Sequence, residues 1–143
     1  MPEGNPKKIR TFEDLTKKNV RMVNRDRGSG IRVFIDEMCK KLGIRHGEIY
    51  GYGDEVSSHY SAATAVLRGA ADVAIGNEKT CRMMEGLDFI PLKQEDYDMI
   101  FREEDLSRPE FQRLVYLIQS EEFRREVEAV STYDATGLGE RIM

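Results

Sequence analysis

The chain has 143 residues, 40% of them hydrophobic and 34% charged, with a formal net charge of -4. That mass buries about two-thirds of the extended surface and leaves ~7,500 Å² exposed, so one domain with a proper core is expected and a disordered chain is excluded. No apolar run is long enough to span a bilayer and residues 1–15 lack the apolar h-region of a secretory signal, which points to a cytoplasmic protein.

Residues 20–24 read as a strand, ended by the polar-glycine turn 25–30. Ile31, Phe34, Ile35, Met38, Cys39 and Leu42 then recur at helical spacing, and Gly43 closes that helix. Residues 48–52 form a short strand candidate. Ser57 or Ser58 caps a second helix with Ala62, Ala63, Val66 and Leu67 on its apolar face and Gly69 past its end. Residues 72–76 are a strand running into glycine, and 78–85 a short helix. Two more strands are expected at 88–92 and 97–102, the latter alternating between faces. Ser107, Arg108 and Pro109 open a helix with Phe111, Leu114, Val115 and Ile118 on one face. Ser120 caps the last helix, with Phe123, Val127 and Val130 inward, and residues 131–143 show no periodicity. The alternation predicts an α/β fold: a mixed, mainly parallel sheet flanked by helices, with a C-terminal helical pair.

Charge is unevenly spread. Residues 7–32 carry nine Lys/Arg against three acids, a balance of +6, and residues 94–128 carry eleven acids against five arginines, a balance of -6. Two solvated faces of opposite sign would give this pattern, and so would a basic rim that attracts an anion. Direct nucleic-acid binding is not expected, because the basic stretch lacks interleaved aromatics and the whole chain is acidic. Cys39, Cys81, His46 and His59 are isolated from one another, so neither a metal site at standard spacing nor a disulfide framework is expected, and no cofactor is implied. Cys39 falls on the buried side of the first helix, as a small core hydrophobe does.

Two constellations can carry chemistry. In the turn that holds Arg25, Arg27, Gly28, Ser29 and Gly30, glycines free the backbone to turn N–H groups outward. The helix that follows adds unpaired N–H groups and the positive end of its dipole, while Arg25, Arg27 and Arg32 add charge. Those parts make either an anion site or an ordinary capped helix start. The second constellation is Ser57, Ser58 and His59, again just before a helix, with hydroxyls that cap it or face a ligand. His59 either donates to an anion, acts as a base or finishes the cap. Both helices follow strands of one parallel sheet, so their N-termini open on the same edge, where ligands bind in open α/β sheets. No Ser/His/Asp arrangement accompanies these serines, and no catalytic residue is assigned. Tyr97, between Asp96 and Asp98, either hydrogen-bonds a ligand or packs.

Four blocks in this order carry a family resemblance: VRMVNRDRGSGIRVFIDEM, GYGDEVSSHYSAATAVLRGAADVAIG, GLDFIPLKQEDYDMIF and SEEFRREVEAVSTYDATG. Together, from about Asn5 to Gly139, they resemble the periplasmic-binding-protein-like domain attached to molybdopterin-biosynthesis proteins and some DNA-binding regulators. That domain is similar in fold to type II periplasmic binding proteins, molybdate and tungstate receptors included. The resemblance makes residues 25–30 the ligand loop and Ser57, Ser58 and His59 the second contact, and sets Tyr97 where the chain crosses back between lobes. It implies that residues 5–104 are a second lobe and 105–143 a helical return segment, with a first lobe supplied upstream, by a separate chain or by a second copy. The implied function is binding or sensing of a small anion such as molybdate or tungstate, linked to molybdenum-cofactor biosynthesis or molybdate-responsive regulation, without turnover or a membrane partner. The alternative is a regulatory or assembly domain that completes its fold and site with another chain or an upstream domain.

Overall fold

The computed structural model describes residues 1–130 and 132–142, in two compact bodies, Met1–Gln94 and Glu95–Met143. In the first, strand β1 is Met22–Arg25, and all four of its residues are buried. A central strand with both faces covered has that pattern. Strands β2 (Glu55–Val56) and β3 (Val73–Ala74) flank it in the order β2-β1-β3, both parallel to it. Asn24 and Arg25 face Glu55 and Val56, while Met22 and Val23 face Val73 and Ala74. Parallel neighbours need crossover connections, and here helices supply them: α1 (Gly30–Leu42) between β1 and β2, and α2 (His59–Leu67) between β2 and β3. Consecutive β1 side chains point to opposite faces. Met22 packs with Ile35 and Cys39 of α1, and Val23 packs with Ala62 and Val66 of α2. The α/β reading holds, as a small, open, parallel three-stranded sheet with helices on both faces.

Strand expectations hold less well than helical ones. Residues 48–52 are not a strand; a 3-10 turn, His46–Glu48, precedes Ile49 and Tyr52, which are buried in the core. Met22 N–H donates to Tyr50 O (2.9 Å) and Asn24 N–H to Asp54 O (2.7 Å), so the segment does approach β1. Gly51 turns it over between those bonds at φ +84°, in the left-handed region, and the ladder starts only at Glu55. The short helix expected at 78–85 is α3, Glu78–Arg82. A 3-10 turn, Phe12–Thr16, adds Phe12 and Leu15 to the core.

The strands expected at 88–92 and 97–102 are absent. Residues 88–102 run without turn, bend or ladder pairing, and residues 91–100 are exposed throughout. Side-chain alternation favours an extended backbone, but a strand also needs a ladder: the first segment meets Met1 only at Asp88, whose N–H donates to Met1 O (2.9 Å), and the second forms no ladder among the described residues.

The second body holds a 3-10 turn, Glu103–Ser107, and the expected helical pair, α4 (Pro109–Ile118) and α5 (Glu121–Ala129). Pro109 opens α4, and Ser120 Oγ accepts from Phe123 N–H at 3.2 Å to cap α5. Gln119 Nε2 donates to Gly139 O (2.9 Å) and Arg124 Nη1 to Ala135 O (2.7 Å), tying the end of the chain to the helices. The expectation for 131–143 falls outside the described residues at Ser131 and Met143.

Candidate functional site

Because β1 and β2 are parallel neighbours, the turns leaving them lie on one edge of the sheet. The first turn runs from Arg25 to the N-cap Ser29, with Gly28 at φ +90°; the second runs from Val56 to the N-cap Ser58. Each delivers a helix whose first N–H groups have no carbonyl within their own helix. Arg25 binds the two turns together. Its side chain is nine-tenths buried, Nε donates to Val56 O (3.3 Å) and Nη2 to Ser57 O (3.1 Å), and Asp26 Oδ1 lies 3.4 Å from Nη2. The third nitrogen, Nη1, is buried with no hydrogen-bond partner. Asn24 shapes the same corner, donating from Nδ2 to Tyr52 O (3.0 Å) and accepting from Arg25 N–H (2.8 Å).

Arg32 forms a second fastening. Nη1 donates to Glu55 Oε1 (2.7 Å) and Arg25 O (3.3 Å), Nε to Asp36 Oδ1 (3.1 Å), and the guanidinium sits 4.5 Å from the centre of the Tyr52 ring. Burial disfavours its charge, but the hydrogen bonds to Glu55, Tyr52 and Asp36 outweigh that and raise its pKa. Tyr52 Oη donates to Asp36, and burial together with that bond pushes the phenol up to about 12.

The expected site residues separate into distinct roles. Ser29 Oγ accepts from Arg32 N–H (3.2 Å), and Ser58 Oγ accepts from Ser61 N–H (2.9 Å) and lies 2.8 Å from Ser61 Oγ. Both serines are therefore N-caps. Capping uses an oxygen lone pair and leaves the hydroxyl proton of Ser29 to donate. Ser57 is exposed, its carbonyl held by Arg25. Gly28 and Gly30 are exposed with open space where a Cβ would stand. Arg27 projects from the turn, its side chain 86% exposed and 3.8 Å from Glu55. His59 starts α2, but its Nδ1 accepts from Asn77 N–H (3.2 Å), which commits that lone pair to the start of α3. Beneath it lies a cavity of about 50 Å³ lined by Ala62, Ala63, Val66, Gly76 and Thr80, room for a water or two. Tyr97 belongs to the second body, edge-on to Tyr133 at 6.1 Å.

The sequence reading missed the partners. Six of the nine bases in 7–32 (Lys7, Lys17, Arg21, Arg25, Arg27 and Arg32) stand within 4.0 Å of a carboxylate. Most of that basic excess is thus neutralised locally. The i,i+4 spacing of Arg32 and Asp36 was the available signal; the long-range partner Glu55 had none. No group of three or more metal-ligating side chains occurs among the described residues, and no helix among them is long and apolar enough to cross a membrane.

The chain is 35% identical over 143 residues to "Uncharacterized protein YvgK" of Bacillus subtilis (strain 168), covering 99% of this chain and 45% of that protein. It is 39% identical over 107 residues to "Uncharacterized protein in ferredoxin 2Fe-2S gene 5'region" of Clostridium pasteurianum, covering 75% of this chain and 95% of that one. The chain thus spans a little under half the length of the Bacillus relative. No solved structure gives a significant match. The family model for the PBP superfamily domain matches residues 1–119. With an open parallel sheet, helices on both faces and paired helix N-termini at one edge, the chain belongs to the periplasmic-binding-protein-like superfamily, a family of binding domains.

Proposed function

We infer that the chain is a solute-binding lobe that holds a small anion at the N-termini of α1 and α2, without turning it over. One observation carries this reading: two helix starts on adjacent parallel strands are locked side by side by the buried guanidinium of Arg25. The backbone N–H groups of Gly30 and Ile31 from one helix and of Tyr60 from the other, with the hydroxyl proton of Ser29, are the donors; Arg27 is the exposed cation. A tetrahedral oxyanion suits such a ring of donors. Molybdate and tungstate are the candidates that the family resemblance supplies, in a cytoplasmic setting tied to molybdenum-cofactor biosynthesis or molybdate-responsive regulation. Two helix termini at up to ~2 kcal/mol each give about -4 kcal/mol, a dissociation constant on the order of 1 mM. Tighter binding needs a second surface closing over the ligand.

Titration of the isotope-labelled protein with molybdate, tungstate, sulfate and phosphate tests this by amide chemical shifts. Shifts are expected at residues 28–32 and 57–61, with one anion preferred. The Ser29→Ala, Ser58→Ala double variant should bind several-fold more weakly while remaining folded. Unchanged affinity in that variant, or shifts scattered away from both turns, would remove the proposed site.

A second reading, an assembly domain that completes its fold with another chain or an upstream domain, is favoured by a different observation. No residue of α4 or α5 is buried, although both helices are amphipathic.

A further inference from the structure

A carboxylate stands between the two helix starts. Asp26 belongs to both turns: its N–H donates to Val56 O (3.1 Å), its carbonyl accepts from Ser29 N–H (3.2 Å), and its Oδ1 lies 3.4 Å from Arg25 Nη2. That Oδ1 is buried without a hydrogen-bond partner, while the side chain as a whole is half exposed, which leaves Oδ2 as the oxygen that meets solvent. Arg25 Nη1 is likewise buried without a partner, in a side chain that is nine-tenths buried. One ion pair thus holds an orphan donor and an orphan acceptor, and buried polar groups in that state call for something that completes them. Formal charge around the site balances. Arg25, Arg27 and Arg32 stand against Asp26, Asp36 and Glu55, each within 4.0 Å of a partner. An incoming anion therefore gains no net attraction from this ring, and a fully ionised one meets a like charge at Asp26. An oxyanion that keeps a hydroxyl converts that repulsion into a charge-assisted O–H···O bond.

We propose that the site selects a tetrahedral oxyanion that carries its own proton, hydrogen phosphate, with Asp26 as the specificity-determining acceptor. The inference rests on the anion-binding reading and names the ligand class for that same site. The N–H groups of the two helix starts and the Ser29 hydroxyl hold the unprotonated oxygens of the ligand. Asp26 Oδ2 accepts from its hydroxyl. No hydrogen bond restrains the Asp26 carboxylate, so turning it toward the ligand breaks none, and Arg25 Nη1 supplies a further donor on the same side of the turn. Phosphate retains a proton at neutral pH, whereas sulfate, molybdate and tungstate are fully ionised there and offer acceptors only. Discrimination comes as much from the repulsion of the wrong anion as from the bond to the right one. A charge-assisted hydrogen bond in place of a like-charge contact corresponds to about tenfold in affinity at a half-exposed carboxylate.

The test is titration of the labelled full chain with inorganic phosphate, sulfate and molybdate at neutral pH and matched ionic strength, read from the amide shifts of residues 28–32 and 57–61. Phosphate should bind about tenfold more tightly than either of the others. Asp26→Asn keeps the shape of the side chain and replaces its charge with an amide that donates as well as accepts. Circular dichroism should confirm that this variant stays folded, since neither carboxylate oxygen is hydrogen-bonded in the native chain. In it phosphate should lose its lead, and sulfate and molybdate should each gain about tenfold. Sulfate or molybdate binding as tightly as phosphate to the native chain overturns the inference, and so does a phosphate lead that survives Asp26→Asn. Either result leaves the anion site itself standing. Amides at both turns that respond to none of the three anions remove the site and the inference together.

Discussion

Replacing Arg32 tests whether the two turns are held by one fastening or by many small ones. The side chain is 8% exposed and makes three hydrogen bonds, two to carboxylates, while lying over Tyr52. Arg32→Met keeps the packing on Tyr52 and removes every donor. A charge-assisted bond contributes about 1.5–3 kcal/mol where both ends are desolvated. The carboxylates of Glu55 and Asp36 are 33% and 44% exposed, so water recovers part of each loss. The sum comes to about 3 kcal/mol, at the low end for removing one partner of a buried ion pair. In a body of this size that lowers Tm by ~12–20 °C. The chain has no tryptophan, so urea unfolding followed by circular dichroism is the assay. Arg32→Lys should recover no more than about 1 kcal/mol, because one ammonium cannot serve two carboxylates and a carbonyl while stacking on a ring. A loss below ~0.5 kcal/mol in Arg32→Met would refute the reasoning, since the network would then be worth no more than a surface ion pair.

Gly51→Ala should cost at least about 3 kcal/mol in the same assay, because its Cβ would stand 2.0 Å from Met22 O at a φ of +84°. Gly53→Ala, with nothing within 4 Å of its Cβ, should stay within about 0.5 kcal/mol. Tyr52, raised to about 12, sets an alkaline limit. A folded-state pKa above the unfolded value of about 10 favours the neutral phenol, so its contribution is complete below pH 10 and is lost as pH rises toward 12. Phenolate absorbance should show one ionisation near pH 12 that is lost in Tyr52→Phe, and that variant should flatten the fall in stability over the same window. An unchanged fall would place its cause elsewhere.

Helices were legible because their signals are local. Ser29 and Ser120 cap the helices that their spacing announced, Ser58 takes the cap left open between it and Ser57, Gly43 ends α1 at φ +68°, and Cys39 sits in the core on the face that its helical position required. The common edge of the two strand-to-helix turns followed as well, since β1 and β2 are parallel neighbours. Partnership was not legible. Nothing near Arg25 in the sequence says that its guanidinium will be spent on the carbonyls of Val56 and Ser57 thirty residues later, or that Glu55 will neutralise Arg32. His59 shows the same limit: adjacency to two serines suggested chemistry or a cap, whereas its ring receives the N–H of Asn77, eighteen residues on.

Residues 48–52 and 97–102 both read as strands in the sequence, the second by its alternation, and neither is one, for different reasons. The first reaches β1 and makes single bonds to it, but Gly51 turns the chain before a ladder can form, so β2 shrinks to the two residues beyond. The second alternates between faces as a strand does, yet it forms no ladder among the described residues. Alternation encodes which side of a residue wants to be dry; it does not encode the neighbour. Where the neighbour lies within the same body, as for β1, pattern and structure agree.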